Sequence, residues 1–182
     1  MYYDIILIRE AAKDIELLKR LGITHILNGA STTVHISELY YQHRSFMCSL
    51  LALPIGTAEE IKFRISDYFE EAARFIDCCL RKSSGKILIH DDDNGVTSGP
   101  ILLIAYLMIK RELDVLNAVK IVRYDDMFTG LWNVGENQNN AHFIVYRAKR
   151  HIQPHDGFLT QLVDLDKKLK DRRMGGNSFS LR

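Results

Sequence analysis

The hydrophobic pattern changes period along the chain, and each change marks a strand or a helix. Asp4–Ile8 is a short β-branched run; Ala11–Leu21 follows with Ile15, Leu18 and Leu21 at helical spacing, which predicts a helix stopped by Gly22. Ile23–Asn28 reads as a compact strand turned at Gly29, and the polar stretch Ser31–Arg44 as a surface loop. Ser45–Leu53 is an apolar run of strand length closed by Pro54 and Gly56. Ser66 stands as the N-cap of a helix with Phe69, Ala72, Ala73, Ile76 and Leu80 on one face. Ser83-Ser84-Gly85 breaks that helix, and Lys86–His90 is a strand that is apolar between its ends. Pro100–Lys110 predicts a buried helix, Val115–Val122 a second, and Phe158, Leu162, Leu165 and Leu169 a final helical stripe. The alternation predicts an α/β fold: a mostly parallel sheet of four or five strands with helices on both faces.

Two segments stand outside this plan. Tyr124–Tyr146 mixes Gly, Asn and aromatic residues without sustained period and reads as an inserted loop, 124–146, ending in a short strand at His142–Tyr146. It carries Met127, Phe128, Leu131 and Trp132, which suit either a partner-binding element or a cover over a pocket. Arg172–Arg182, with Gly175-Gly176, is expected to be a flexible tail, leaving one domain over 1–171.

Composition narrows the function classes. With 182 residues, 47% hydrophobic and 26% charged, the chain is a folded one rather than a disordered one. Twenty-four basic and 23 acidic side chains give a net charge of +1, so no global field draws nucleic acid or an anionic membrane, and neither is expected as a partner. The longest apolar run, Ile101–Ile109, falls well short of the ~20 residues that span a bilayer, and Met1-Tyr2-Tyr3-Asp4 lacks the basic start of a targeting segment. Three cysteines, Cys48, Cys78 and Cys79, are an odd number without zinc-type spacing; reduced thiols in the cytoplasm or nucleus are expected.

Chemistry is expected where strand Lys86–His90 runs through Asp91, Asp92, Asp93, Asn94, Gly95, Val96, Thr97 and Ser98 into the buried helix. A strand–loop–helix junction offers free backbone N–H groups and the positive end of a helix dipole, a cradle for a phosphate.

Around this junction the chain resembles the atypical dual-specificity protein phosphatases. Leu21–Asn28 resembles the family's second-strand signature, Asp67–Asp77 the helix before the active-site strand, and Ile104–Ile109 the helix behind the catalytic loop. Asp114–Arg123 and Pro154–Leu162 are similar to its two C-terminal helices. The resemblance implies a cysteine-phosphatase fold and a reaction needing three groups: a thiolate nucleophile after the strand-end histidine, an arginine fork for the phosphate, and an aspartic acid for the leaving oxygen. His90 is present, but Asp91 or Asp92 stands where the cysteine belongs. The arginine position holds Thr97 or Ser98, and no arginine occurs between Arg81 and Arg111. The acid loop, Pro54–Lys62, has no aspartate, although Glu59 or Glu60 could lie near that site.

The expectation is therefore a pseudophosphatase and not an enzyme: no catalytic residue, a degenerate phosphate-binding loop over His90–Ser98, no cofactor and no metal. The partner implied by the resemblance is a phosphoprotein or a protein kinase, bound in signalling. Within the loop an aspartate would accept the N–H groups and cap the helix, either as a purely structural device or to hold a phosphate-bound-like shape for a partner. The alternative is a residual or altered protein tyrosine/serine/threonine phosphatase, metal-assisted through Asp91–Asp93, whose oxygens suit magnesium or calcium. A strand followed by Asp-x-Asp is also similar to the haloacid-dehalogenase phosphatases, with Asp125-Asp126 as a second acidic pair, but that leaves the flanking similarity unexplained. Catalysis by another thiol is disfavoured, because Cys48 lies in an apolar strand and Cys78-Cys79 in a helix. The run Arg147–His151 suits a solvated face or a docking patch for an acidic partner.

Overall fold

The computed structural model describes residues 2–7, 10–29, 41, 43, 45–50, 63–90, 98–123, 132–133, 142–147 and 156–176. Six strands, β1 (Tyr2–Leu7), β2 (His25–Asn28), β3 (Met47–Leu50), β4 (Lys86–His90), β5 (Trp132–Asn133) and β6 (His142–Arg147), form one sheet. Among the described residues five α-helices accompany them: α1 (Ile15–Arg20), α2 (Phe69–Leu80), α3 (Ser98–Lys110), α4 (Val115–Arg123) and α5 (Asp156–Gly176).

The sheet order is β3-β2-β4-β1-β6-β5, parallel except for the β5–β6 pair. The expected count of four or five strands is thus corrected to six. The sixth strand is β5, paired antiparallel with β6, which itself runs parallel to β1 from Tyr2 opposite His142 to Leu7 opposite Arg147. The segment expected as an inserted loop therefore contributes two strands; its other residues, 124–131 and 134–141, lie outside the described ones.

Successive side chains of the inner strands point to opposite faces, and both faces are covered. Leu27, Ile87 and Ile89 join α2, α3, α4 and α5 in the larger core, whereas Ile26 and Leu88 join Ala12, Leu18, Tyr41 and Phe46 in the smaller one. Helix α3 is buried nearly all round because it lies within the larger core: Gly99 and Pro100 are buried, and Ser98 and Ile101 through Met108 are at most 1% exposed. Phe69, Ala72, Ala73, Ile76 and Leu80 line the buried face of α2, as their spacing requires.

Three boundaries differ from the sequence reading, each for a local reason. The single helix expected over Ala11–Leu21 is a 3₁₀ turn (Glu10–Lys13) followed by α1, because the Asp14 carboxylate accepts the Leu17 N–H at 2.8 Å and starts a new helix there. Ser66 is not an N-cap; it lies inside a 3₁₀ turn (Ile65–Tyr68) whose backbone is taken up by Gln161. The Gln161 side chain accepts the Ser66 N–H at 2.9 Å and donates to Phe63 O at 2.9 Å, clamping this turn onto α5. Helix α5 continues to Gly176, so residues 172–176 of the expected tail are helical. None of the described helices is long and apolar enough to cross a membrane.

Candidate functional site

The site is built on the end of β4 and the start of α3. Strand β4 sits between β1 and β2 and delivers His90 to the strand end, where Gly29 N–H donates to His90 O at 2.8 Å. Helix α3 begins at Ser98, two residues earlier than Pro100 alone predicts; proline lacks an N–H and is tolerated in a helix's first turn. His90 and Ser98 thus bracket the loop on two largely buried elements and are themselves 2% and 0% exposed. Asp91, Asp92, Asp93, Asn94, Gly95, Val96 and Thr97 lie outside the described residues, as do Pro54–Lys62, Asp125-Asp126 and residues 148–151.

His90 is a neutral imidazole. Burial holds its pKa down at about 4, because a charged ring would lose its hydration. Its Nε2 lies 3.3 Å from Tyr41 Oη, and the Tyr41 hydroxyl donates to Ala12 O at 2.9 Å. Tyr41 is fully buried, within a stretch expected to be surface loop. Sequence reading missed it, since a short Leu39-Tyr40-Tyr41 run inside a polar stretch shows no sustained period. At the start of α3, Ser98 Oγ is the only buried side-chain nitrogen or oxygen among the described residues without a hydrogen-bond partner. A buried hydroxyl without a partner at the start of a helix is a donor open to an anion.

The thiols lie elsewhere. Cys79 is buried against the beginning of β4, with Sγ 3.9 Å from Thr24 Oγ1, and burial pushes its pKa up to about 11. Four residues of extended strand, on the order of 13 Å, separate that end of β4 from His90. Cys78 is exposed on α2 rather than buried, and Cys48 is half-buried on β3. A second histidine also lies at the far end: Lys82 Nζ donates to His25 Nε2 at 3.1 Å, and His25 Nδ1 is 2.7 Å from Thr24 Oγ1. Thr24 Oγ1 in turn accepts Lys86 N–H and donates to Lys86 O, both at 3.1 Å. This network ties β2 to β4. A cleft lined by Arg64, Ser66, Gln161, Lys168 and Arg172 lies between α5 and the start of α2, and neither His90 nor Ser98 lines it. Among the described residues no three His, Cys, Asp or Glu side chains converge as a metal site.

A model of the dual specificity phosphatase catalytic domain matches residues 5–168, nearly the whole chain. The chain belongs to the dual specificity phosphatase family. This phosphatase-family chain is 29% identical over 162 residues to dual specificity protein phosphatase 26 of Bos taurus, covering 89% of this chain and 63% of that protein. Against the Homo sapiens protein of the same name the figures are 30% over 153 residues, 84% and 59%. It thus spans about three fifths of the length of these relatives. Among solved structures, human DUSP28 superposes with a TM-score of 0.62 at 18% identity, covering 88% of this chain and 86% of that one, a likeness of fold.

These findings correct one expectation. The chain was expected not to be an enzyme, on the strength of residues replaced in and before the loop. The matching model is that of a catalytic domain, and the relatives are named as protein phosphatases, which places the chain in a family of enzymes. Residues 91–97 and 54–62, on which the expectation rested, are outside the described ones. Hydrolysis of a generic aryl phosphate, with and without magnesium, is the assay this family assignment requires.

Proposed function

We propose that the chain serves phosphorylation signalling as a dual specificity phosphatase-family domain whose partner is a phosphoprotein or a protein kinase, held chiefly through protein surface. The observation that carries this reading is the β4–α3 junction: His90 and Ser98 keep the buried frame of a phosphate cradle around a loop of altered charge. In sequence that loop brings Asp91, Asp92 and Asp93 and no arginine between Arg81 and Arg111. A carboxylate ~4 Å from a phosphate oxygen repels it by about 4 kcal/mol at an effective dielectric of 20. A helix start returns only about 0.3–1 kcal/mol. With the neutral His90 adding no cation, the phosphate contributes little affinity, and the surrounding surface contributes most.

Surface plasmon resonance on the immobilised full chain tests this, using purified protein kinases and matched phosphorylated and dephosphorylated substrate proteins. Binding to at least one kinase or phosphoprotein, undiminished by millimolar inorganic phosphate, is expected. No binding across the set, or binding abolished by inorganic phosphate, overturns the reading.

A further inference from the structure

We propose that the cleft between α5 and the start of α2 seats a short acidic segment of the partner protein: an extended peptide with one apolar side chain and a carboxylate beside it. The proposal rests on the reading that the partner is held through protein surface, and it names that surface. The cleft has a volume of about 310 Å³, and its α5 wall is the stripe Gln161, Asp164, Leu165, Lys168 and Arg172. From the first to the last of these the helix rises about 16 Å, the length of about five extended residues. One end is fixed where Gln161 meets Ser66, and the other where Arg172 Nη1 lies 3.8 Å from Glu70 Oε1. Both ends of the Gln161 amide are committed, to Ser66 N–H and to the carbonyls of Phe63 and Gly157, so the wall is built before any ligand arrives.

The chemistry of the lining selects the occupant. Phe69 and the half-buried Leu165 supply an apolar floor. Three cations, Arg64, Lys168 and Arg172, stand against two carboxylates, Glu70 and Asp164. Arg64 is 3.5 Å from Asp67 and Arg172 is 3.8 Å from Glu70, but both pairs are exposed on each side, and such pairs hold weakly. Lys168 makes no ion pair with a described residue. Beyond Leu165 the stripe carries Lys168 and Arg172 against Glu70 alone, so this half of the cleft is positive. A carboxylate next to an apolar residue meets that half, and a basic residue there is repelled. Neither His90 nor Ser98 lines the cleft, so its occupant does not compete with an anion at the β4–α3 junction.

Amide 1H–15N spectra of the 15N-labelled full chain, titrated with the blocked peptide Ala-Leu-Glu-Glu-Ala, test this. Saturable shifts are expected at Ser66, Glu70, Leu165 and Lys168, and none with the matched peptide Ala-Leu-Lys-Lys-Ala. Raised salt is expected to weaken binding. Lys168→Glu is expected to weaken it by at least about tenfold. Glu70→Gln, which releases Arg172, is expected to tighten it by about threefold, a gain that misfolding would not produce. Lys120→Glu makes the same charge change on α4, away from the cleft, and is expected to alter nothing. All three positions are exposed, so each variant is expected to fold. No shifts in the cleft, equal binding of the lysine peptide, or equal weakening by Lys168→Glu and Lys120→Glu overturns the proposal. Kinase or phosphoprotein binding that survives Lys168→Glu unchanged overturns the cleft and leaves the proposed function standing. The glutamate peptide seated in the cleft, with no kinase or phosphoprotein bound by the chain, supports the cleft and overturns that function.

Discussion

Acidification from pH 7 to pH 4.5 is expected to remove about 2 to 3 kcal/mol of stability for each of two histidines, His25 and His90. Both have native pKa values lowered to about 4, from an ordinary 6.5. For His90 the cause is burial; for His25 it is burial first and then the Lys82 ammonium, which donates to the very nitrogen a second proton would occupy. Unfolded histidine takes up a proton near pH 6.5, whereas the native rings resist until about pH 4. The unfolded state therefore binds more protons throughout that interval, and stability falls as pH falls. By about pH 7.5 both states are essentially unprotonated and the slope vanishes. Urea unfolding at pH 7, 5.5 and 4.5 checks this on the wild type and on His25→Gln and His90→Gln. Each variant starts less stable at pH 7 but loses less on acidification. An acid slope unchanged in both variants would contradict the assignment.

Adding one methyl group at Gly85 is expected to cost more than most core truncations, about 3 kcal/mol or more. A Cβ built on Gly85 would lie 1.9 Å from Cys79 O and 2.8 Å from Cys79 C, with Cys79 Sγ at 3.2 Å. The two nearest are backbone atoms of the last turn of α2, and that turn is committed: Lys82 N–H donates to Cys79 O at 3.0 Å. Gly85 N–H donates to Lys82 O, also at 3.0 Å, so the turn into β4 is tight at both ends. Relief would have to come from moving α2 away from β4, which sets the position of His90. Gly175→Ala is the matched control, since its Cβ meets nothing within 4 Å and lies in a helix. Alanine there is expected to stabilise slightly, by up to about 1 kcal/mol. Thermal unfolding separates the two; equal Tm values for Gly85→Ala and wild type would refute the steric account.

What the sequence disclosed and what it hid divide along one physical line. Period and punctuation were enough for β4, whose bounds Lys86–His90 are as expected, and for α2, α4 and α5, whose apolar faces are the buried ones. The β4–α3 junction and the residues expected to line it followed from the same reading together with the family resemblance. Long-range pairing left no such trace. His142–Tyr146 looked like a short strand, but nothing local shows that it lies beside β1. Ser66 has the composition of an N-cap, and only a glutamine 95 positions later makes it part of a clamped turn. Tyr41 sits in a run too short to show a period, so its contact with His90 appears only once both are placed. Asp14 was visible, yet its power to split a helix depends on one hydrogen bond that propensity averages over.

The proposed function requires that Asp91, Asp92 and Asp93, between β4 and α3 in sequence, weaken the hold on a phosphate group and leave partner recognition to the protein surface. Tungstate, a phosphate-like oxyanion, measures this most directly in a thermal-shift titration of the wild type against an Asp91→Asn, Asp92→Asn, Asp93→Asn triple variant. The account predicts no stabilisation of the wild type at micromolar tungstate and clear stabilisation of the variant, with at least tenfold tighter binding. That factor corresponds to about 1.4 kcal/mol, well within the repulsion removed. Micromolar tungstate stabilising the wild type and the variant equally would contradict it.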